Sequence, residues 1–111
     1  MGFEVISSRK AVIQKHLNKS GCNPAVVGYN ILMDVISLAV DHPYENRQEL
    51  FKRYSEMMGK EQYISWWLNA YNDARYCYIT AISPECKGVY RFIKKVAMSV
   101  AEEERVEKTY A

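Results

Sequence analysis

Residues 46–80 read NRQELFKRYSEMMGKEQYISWWLNAYNDARYCYIT, and the fold is decided there. Asn46 followed three residues later by Glu49 has the form of a capping box, which marks the start of a helix. Leu50, Phe51, Tyr54, Met57 and Met58 then recur at helical spacing and supply that helix with a buried face. Gly59 breaks the pattern. A second helix is predicted from about Gln62 to Thr80, with Ile64, Trp67, Tyr71, Ala74 and Tyr78 on one stripe. Ser65, Asn69, Asn72 and Tyr76 form another stripe, offset toward the opposite side. Two such helices joined at a glycine fit a helix-turn-helix spanning about 47–80. Ser55 is small where the helices must approach. Gly59, four residues on, takes positive φ without the penalty that a side chain brings.

The same helical period extends outward in both directions, with no strand-like alternation. A first helix is predicted from about Ser8 to Lys19, capped by Ser7 or Ser8, with Val12, Ile13 and Leu17 inward and Gly21 as a left-handed C-terminal cap. Asn23 and Pro24 predict the start of a second helix, since proline suits the first helical position. Val27, Ile31, Leu32, Val35, Ile36 and Ala39 continue it, while Leu38 and Val40 fill other faces. That places this helix centrally, buried on most sides. Pro43 ends it, because a proline disfavours helix at the preceding His42. A break at Ser83–Pro84 precedes a last helix beginning near Gly88, with Val89, Phe92, Ile93, Val96 and Val100 inward. Lys87, Arg91, Lys94 and Lys95 form a basic ridge on it, and the charged stretch 102–111 frays or continues as solvated helix. The expectation is an all-α single domain over residues 1–111 with five or six helices.

Composition narrows the function. With 111 residues, 49% hydrophobic and 25% charged, the chain can bury a core without disulfides. A net charge of +2 is too small to signal nucleic-acid binding by itself. The longest uncharged run, Ser20 to Met33, falls short of the roughly 20 residues of a membrane span, and MGFEVISSRK does not read as a secretory signal. Three cysteines, odd in number and widely spaced, fit a reduced, cytoplasmic setting. Nine tyrosines, three phenylalanines and two tryptophans sit mostly among apolar neighbours, which reads as core.

Catalytic signatures are missing. The chain has no glycine-rich phosphate loop, no HExxH and no G-x-S-x-G. His16 and His42 stand apart from other ligand-type residues, so neither a metal nor a cofactor is expected. Cys77, between Tyr76 and Tyr78, reads as a small buried residue rather than a nucleophile.

From Ile13 to His42 the order of residues resembles a known family. His16, the turn Gly21-Cys22-Asn23-Pro24-Ala25, the pair Gly28-Tyr29, and then Leu32 and Ile36-Ser37 resemble the start of the C-terminal effector domain of the stage zero sporulation protein A family of response regulators. Leu50 to Gly59 is similar to the first helix of that family's DNA-binding pair. Ser65 to Ala74, SWWLNAYNDA, is similar to its recognition helix, and Pro84 to Val100 to its terminal helix. The likeness covers about residues 12–100 and does not include the family's receiver domain. It implies a helical DNA-binding domain acting in transcription regulation in a spore-forming bacterium. The family carries arginines where this chain has Trp66, Asn69 and Asn72, and a histidine where it has Asp73. Losing those cations weakens attraction to phosphate.

On this reading the chain is no enzyme. Ser65, Trp66, Asn69 and Asn72 face bases, since asparagine can read adenine edges in the major groove. Lys60, Lys87, Arg91, Lys94 and Lys95 hold phosphates. Double-stranded DNA is the expected partner, with a homodimer on DNA or a protein partner also open and no membrane involved. The alternative is a helical interaction module that kept the fold and lost DNA reading. An exposed Trp66 at the centre of the face would favour it, because tryptophan suits a protein contact better than a phosphate.

Overall fold

Five helices carry the chain in a computed structural model: α1 (Gly2–Lys19), α2 (Gly28–Asp41), α3 (Arg47–Met57), α4 (Trp66–Ile79) and α5 (Val89–Tyr110). The structure describes residues 2–81 and 88–110, with side chains for 8–81 and 88–106, and no strand occurs among them. The expected break at Ser83–Pro84, with Cys86 and Lys87, lies outside the described residues. The all-α expectation holds. No helix among the described residues is long and apolar enough to cross a membrane.

Helix α2 is the centre of the fold, packing against α1, α3, α4 and α5. It buries Gly28, Tyr29, Leu32, Val35, Ile36 and Ala39, and its Ile31, Met33, Leu38 and Val40 are half-buried. Its sequence, apolar on most faces with only Asp34 and Asp41 charged, foretells this surrounded position. Around it lie Ile13 and Leu17 of α1, Leu50, Phe51 and Tyr54 of α3, Ala74 and Cys77 of α4, and Phe92, Ile93, Val96 and Val100 of α5. Polar ties hold the periphery. Arg9 of α1 reaches Asp41 of α2 at 3.0 Å and Glu104 of α5 at 2.7 Å. Tyr90 of α5 donates to the Glu45 carbonyl at 2.8 Å, and Arg53 of α3 pairs with the Glu45 carboxylate.

Helix ends follow local chemistry. Asn46 Oδ1 accepts from the Glu49 amide, and Glu49 Oε1 accepts from the Asn46 amide, both at 2.9 Å, which completes the capping box. Gly59, at φ +69°, ends α3: its amide donates to the Glu56 carbonyl and the Lys60 amide to the Ser55 carbonyl. These are the two bonds of a Schellman cap. Gly21, at φ 87°, ends α1 in the same way, through bonds to Asn18 and from Cys22 to Leu17.

Several boundaries differ from expectation. Helix α1 starts at Gly2 rather than near Ser8, so Ser7 and Ser8 lie within the helix and not at its cap. Helix α2 begins at Gly28, four residues after Pro24. Asn23 makes a local turn instead, its Oδ1 accepting from the Ala25 amide at 2.9 Å, a competition with helix that asparagine commonly wins. Val27 is therefore exposed rather than on the apolar stripe. Helix α4 starts at Trp66, not Gln62, and the eight residues 58–65 connect α3 to α4. That is longer than the three or four of a tight helix-turn-helix. Met57 and Met58, at the end of α3, and Ile64, in the turn before α4, are exposed rather than buried.

The start of α2 lies where it does because of Gly28. A Cβ at this position would stand 1.9 Å from the Asp73 carbonyl oxygen and 2.9 Å from the Ala74 Cα. Both are backbone atoms of α4, so the two helices touch main chain to main chain.

Two glycine substitutions separate two mechanisms. Gly28→Ala is expected to lose about 3 kcal/mol or more, because backbone must move to admit the methyl group. Gly59 has open space around it, so Gly59→Val is expected to lose about 1–3 kcal/mol through φ strain alone. Gly59→Asn should recover much of that, since asparagine tolerates the left-handed region, whereas Gly28→Ser should recover nothing. Urea melts of the four variants check this.

Candidate nucleic-acid interface

Helix α4 turns Ala70, Ala74, Cys77 and Tyr78 to the core. By the 3.6-residue period, the centre of its outward face is Ser65, Asn69, Asn72 and Tyr76, all exposed. The Asn69 and Asn72 amides make no side-chain hydrogen bond among the described residues. Three of the four residues expected to face bases therefore lie together on one accessible face. That face also carries Leu68, Arg75 and Ile79, which sequence reasoning did not single out. Arg75 is a cation on the same helix and could have been found from its spacing to Asn72.

Trp66 is the correction. It is half-buried and stacks on Tyr54 of α3, ring centroids 5.6 Å apart and planes 26° from parallel. One residue past Ser65 on a helix is a turn of about 100°, which swings the indole from the outward face toward α3. Trp67 is also half-buried and lines a groove of about 360 Å³ between α3 and α4 with Tyr63, Ile64 and Lys52. Phe51 meets Tyr71 edge-on at 5.3 Å, and the Arg47 guanidinium lies 4.8 Å above the same Tyr71 ring. The aromatic residues of α4 are thus mostly glue between α3 and α4.

The expected phosphate contacts are dispersed. Lys60 is exposed in the connection, its ammonium 5.8 Å from the Tyr63 ring. Arg91 and Lys95 are exposed on α5. Lys94 is half-buried, donates to the Pro43 carbonyl and lies 5.9 Å from the Tyr90 ring, so its charge is already engaged. Lys87 lies outside the described residues. Phe92 of α5 packs on Tyr78, at the C-terminal end of α4. Asn69 stands about 13 Å back along that helix axis from Tyr78, at the usual rise per residue. The α5 ridge and the α4 amides therefore belong to separate patches.

Titratable groups elsewhere play structural parts. His16 lies 3.6 Å from Glu103 and His42 4.0 Å from Glu45. Among the described residues no group of three or more His, Cys, Asp or Glu gathers as a metal site. Burial pushes the Cys22 thiol from its ordinary 9.0 up to about 12, with Cys77 beside it adding to the shift. Cys77 is also raised by burial. Such thiols stay protonated and unreactive, as the small-buried-residue reading of Cys77 expects. Compared with protein-family models, curated proteins and solved structures, the chain finds no match.

Trp66→Arg should lower stability by about 2–3 kcal/mol, because it removes a stacked, half-buried indole and brings a charge against Tyr54. Trp66→Phe should retain most of the stability. Thermal melts of the two variants test the inward placement. The buried thiol gives a pH dependence of definite sign. The fold favours the neutral thiol, so the Cys22 contribution is intact below about pH 9 and is lost as pH climbs toward about 12. The urea midpoint should fall from pH 8 to pH 10 (about the ordinary thiol range), and less steeply in Cys22→Ala.

Proposed function

We propose that the chain is a helical DNA-binding domain of helix-turn-helix type, acting in transcription regulation, with α4 as the helix that enters the major groove. The observation that carries this reading is the outward face of α4, where Ser65, Asn69 and Asn72 stand exposed and without side-chain partners among the described residues. Asparagine amides offer a donor and an acceptor together, the pair that an adenine edge requires. Lys60 in the connection before α4 and Arg75 along α4 are suited to flanking phosphates. The likeness to the sporulation regulator's effector domain supports the same role. With few cations near the face, affinity is expected to rest more on base contacts than it does for a strongly basic reader.

A specific observation favours a second reading. Ile64 is 88% exposed, and Leu68, Tyr76 and Ile79 continue an apolar row along α4 from it. A helical interaction module that docks a protein through α4 would use that row, since exposed apolar rows mark protein contacts.

A fluorescence anisotropy titration on random-sequence and adenine-rich duplexes at two salt concentrations separates the readings. DNA binding through Lys60 and Arg75 predicts a log–log salt slope of about −2, one counterion-release contribution per phosphate. The double substitution Asn69→Ala, Asn72→Ala should abolish the preference for the adenine-rich duplex and leave the slope unchanged. No binding at low salt would reject the DNA reading in favour of the interaction module.

A further inference from the structure

Cys22 and Cys77 come from distant parts of the chain and meet in the core. Cys22 lies in the connection between α1 and α2, Cys77 lies on the inward face of α4, and both are buried free thiols. The Cys22 thiol donates a hydrogen bond to the Cys77 sulfur. Three residues before Cys77, Ala74 lies against Gly28 at the start of α2. Tyr29, the next residue of α2, is buried too, and its hydroxyl donates to Asn18 Oδ1 of α1 at 2.8 Å. The two sulfurs are therefore enclosed where α1, α2 and α4 converge. No third ligand-type side chain gathers with them among the described residues, so the closed four-ligand set of a structural zinc is not available.

Joining the two sulfurs needs no extra room. A disulfide removes two hydrogens and draws the sulfurs from hydrogen-bonded contact to about 2 Å, so it adds no atom to a filled core. It does need an open state. A thiol must ionise to attack, and burial holds both thiols protonated in the closed fold. Cys22 sits outside the helices, in a connection held by backbone bonds such as Cys22 to Leu17 and Val26 to Asn23. Short connections of this kind open locally at lower cost than a core helix. The step balances with a small-molecule disulfide as oxidant. One cysteine thiolate, its proton lost to water, attacks the oxidant and displaces a small thiolate, which leaves a mixed disulfide. The other cysteine thiolate attacks the protein sulfur of that bond, and the second small thiolate leaves. Two protein thiols are oxidised, and one small disulfide is reduced to two thiols.

We propose that Cys22 and Cys77 form a reversible disulfide latch, which fastens the connection before α2 to α4 when a small-molecule disulfide is in excess over its thiol. The bond closes a loop that contains all of α2 and α3, so it restricts the unfolded chain strongly. It also fastens α4 one turn beyond its contact with Gly28. Once the core recloses, both sulfurs are shielded again, so reduction is slow for the same reason that oxidation is. The latch acts on the inward face of α4 and holds whichever reading of the outward face is correct.

The test uses the full chain with Cys86→Ser, which leaves Cys22 and Cys77 as its only cysteines. It is incubated with oxidised glutathione in excess over reduced, at a series of urea concentrations below the unfolding midpoint, then quenched with an alkylating reagent and weighed by mass spectrometry. The expected product has lost two hydrogens and carries neither alkyl group nor glutathione. Its rate of formation should rise about tenfold or more as urea approaches the midpoint, because opening is required. With urea removed, the oxidised chain should keep the circular dichroism of the reduced one and melt about 10 °C higher. Dithiothreitol should restore the lower midpoint. In the parent chain, with Cys86 present, peptide mapping after the same treatment should find Cys22 linked to Cys77. A chain that stays reduced, or takes up glutathione without closing the bond, overturns the proposal. So does an oxidised chain that melts no higher than the reduced one, since the bond would then not fit the fold. A link from Cys86 to either partner overturns the pairing, and a rate independent of urea overturns the opening step.

Discussion

The contact between Gly28 and the Asp73 carbonyl sets the geometry on which the rest depends. Helices that bring main chain against main chain can do so only where a side chain is missing, and α2 begins at that residue. The crossing fixes α4 in rotation. With Ala74 beside Gly28 and Ala70 and Cys77 also inward, Ser65, Asn69 and Asn72 must point out. The start at Gly28 leaves Asn23 and Pro24 outside α2, where the Asn23 Oδ1 accepts from the Ala25 amide. The chain spends 24–27 in turns instead, using bonds from Val26 to the Asn23 carbonyl and from Tyr29 to the Val26 carbonyl. The loss of one helical turn is small against a tight α2–α4 contact (helix propensity amounts to tenths of a kcal/mol per residue).

Features set by short-range chemistry were legible in the sequence. The capping box at Asn46, the left-handed caps at Gly21 and Gly59, and the inward residues of α5 follow from neighbours within a few positions. Features set by packing across the fold were not. An Asn-Pro pair can start a helix or make a turn; here the Asn23 side chain closes a local turn on the Ala25 amide, and Gly28, where α2 starts, meets α4. Trp66 is a similar case. On α4 it adjoins Ser65, and a phase error of one residue moves it from the outward face to the α3 side. Tyr54, twelve residues earlier, supplies the stacking partner that fixes the phase.

The candidate site divides along the same line. Exposure of Ser65, Asn69 and Asn72 could be read from their spacing, because a polar stripe opposite an apolar one leaves few choices. The cations could not be assembled that way. A lysine counted as free in sequence has a long chain and several donors, and Lys94 uses them on Pro43, which lies fifty-one residues away. Arg53 and Arg9 are likewise occupied by Glu45, Asp41 and Glu104. The fifteen Lys and Arg therefore overstate the cations free to meet a polyanion, since several are held in structural pairs.

That shortage bears on how such a domain could hold DNA at all. Each phosphate neutralised contributes one counterion-release term, and Trp66, Asn69 and Asn72 on α4 bring no cation to that count. A single α4 face with two or three flanking cations would bind weakly. Joining two such faces changes the energetics without adding any contact to DNA, because the second face then binds at the effective concentration set by the dimer. Two reading helices related by a two-fold axis would match a palindromic site whose half-site spacing mirrors their separation, and occupancy would then rise with chain concentration more steeply than for a monomer.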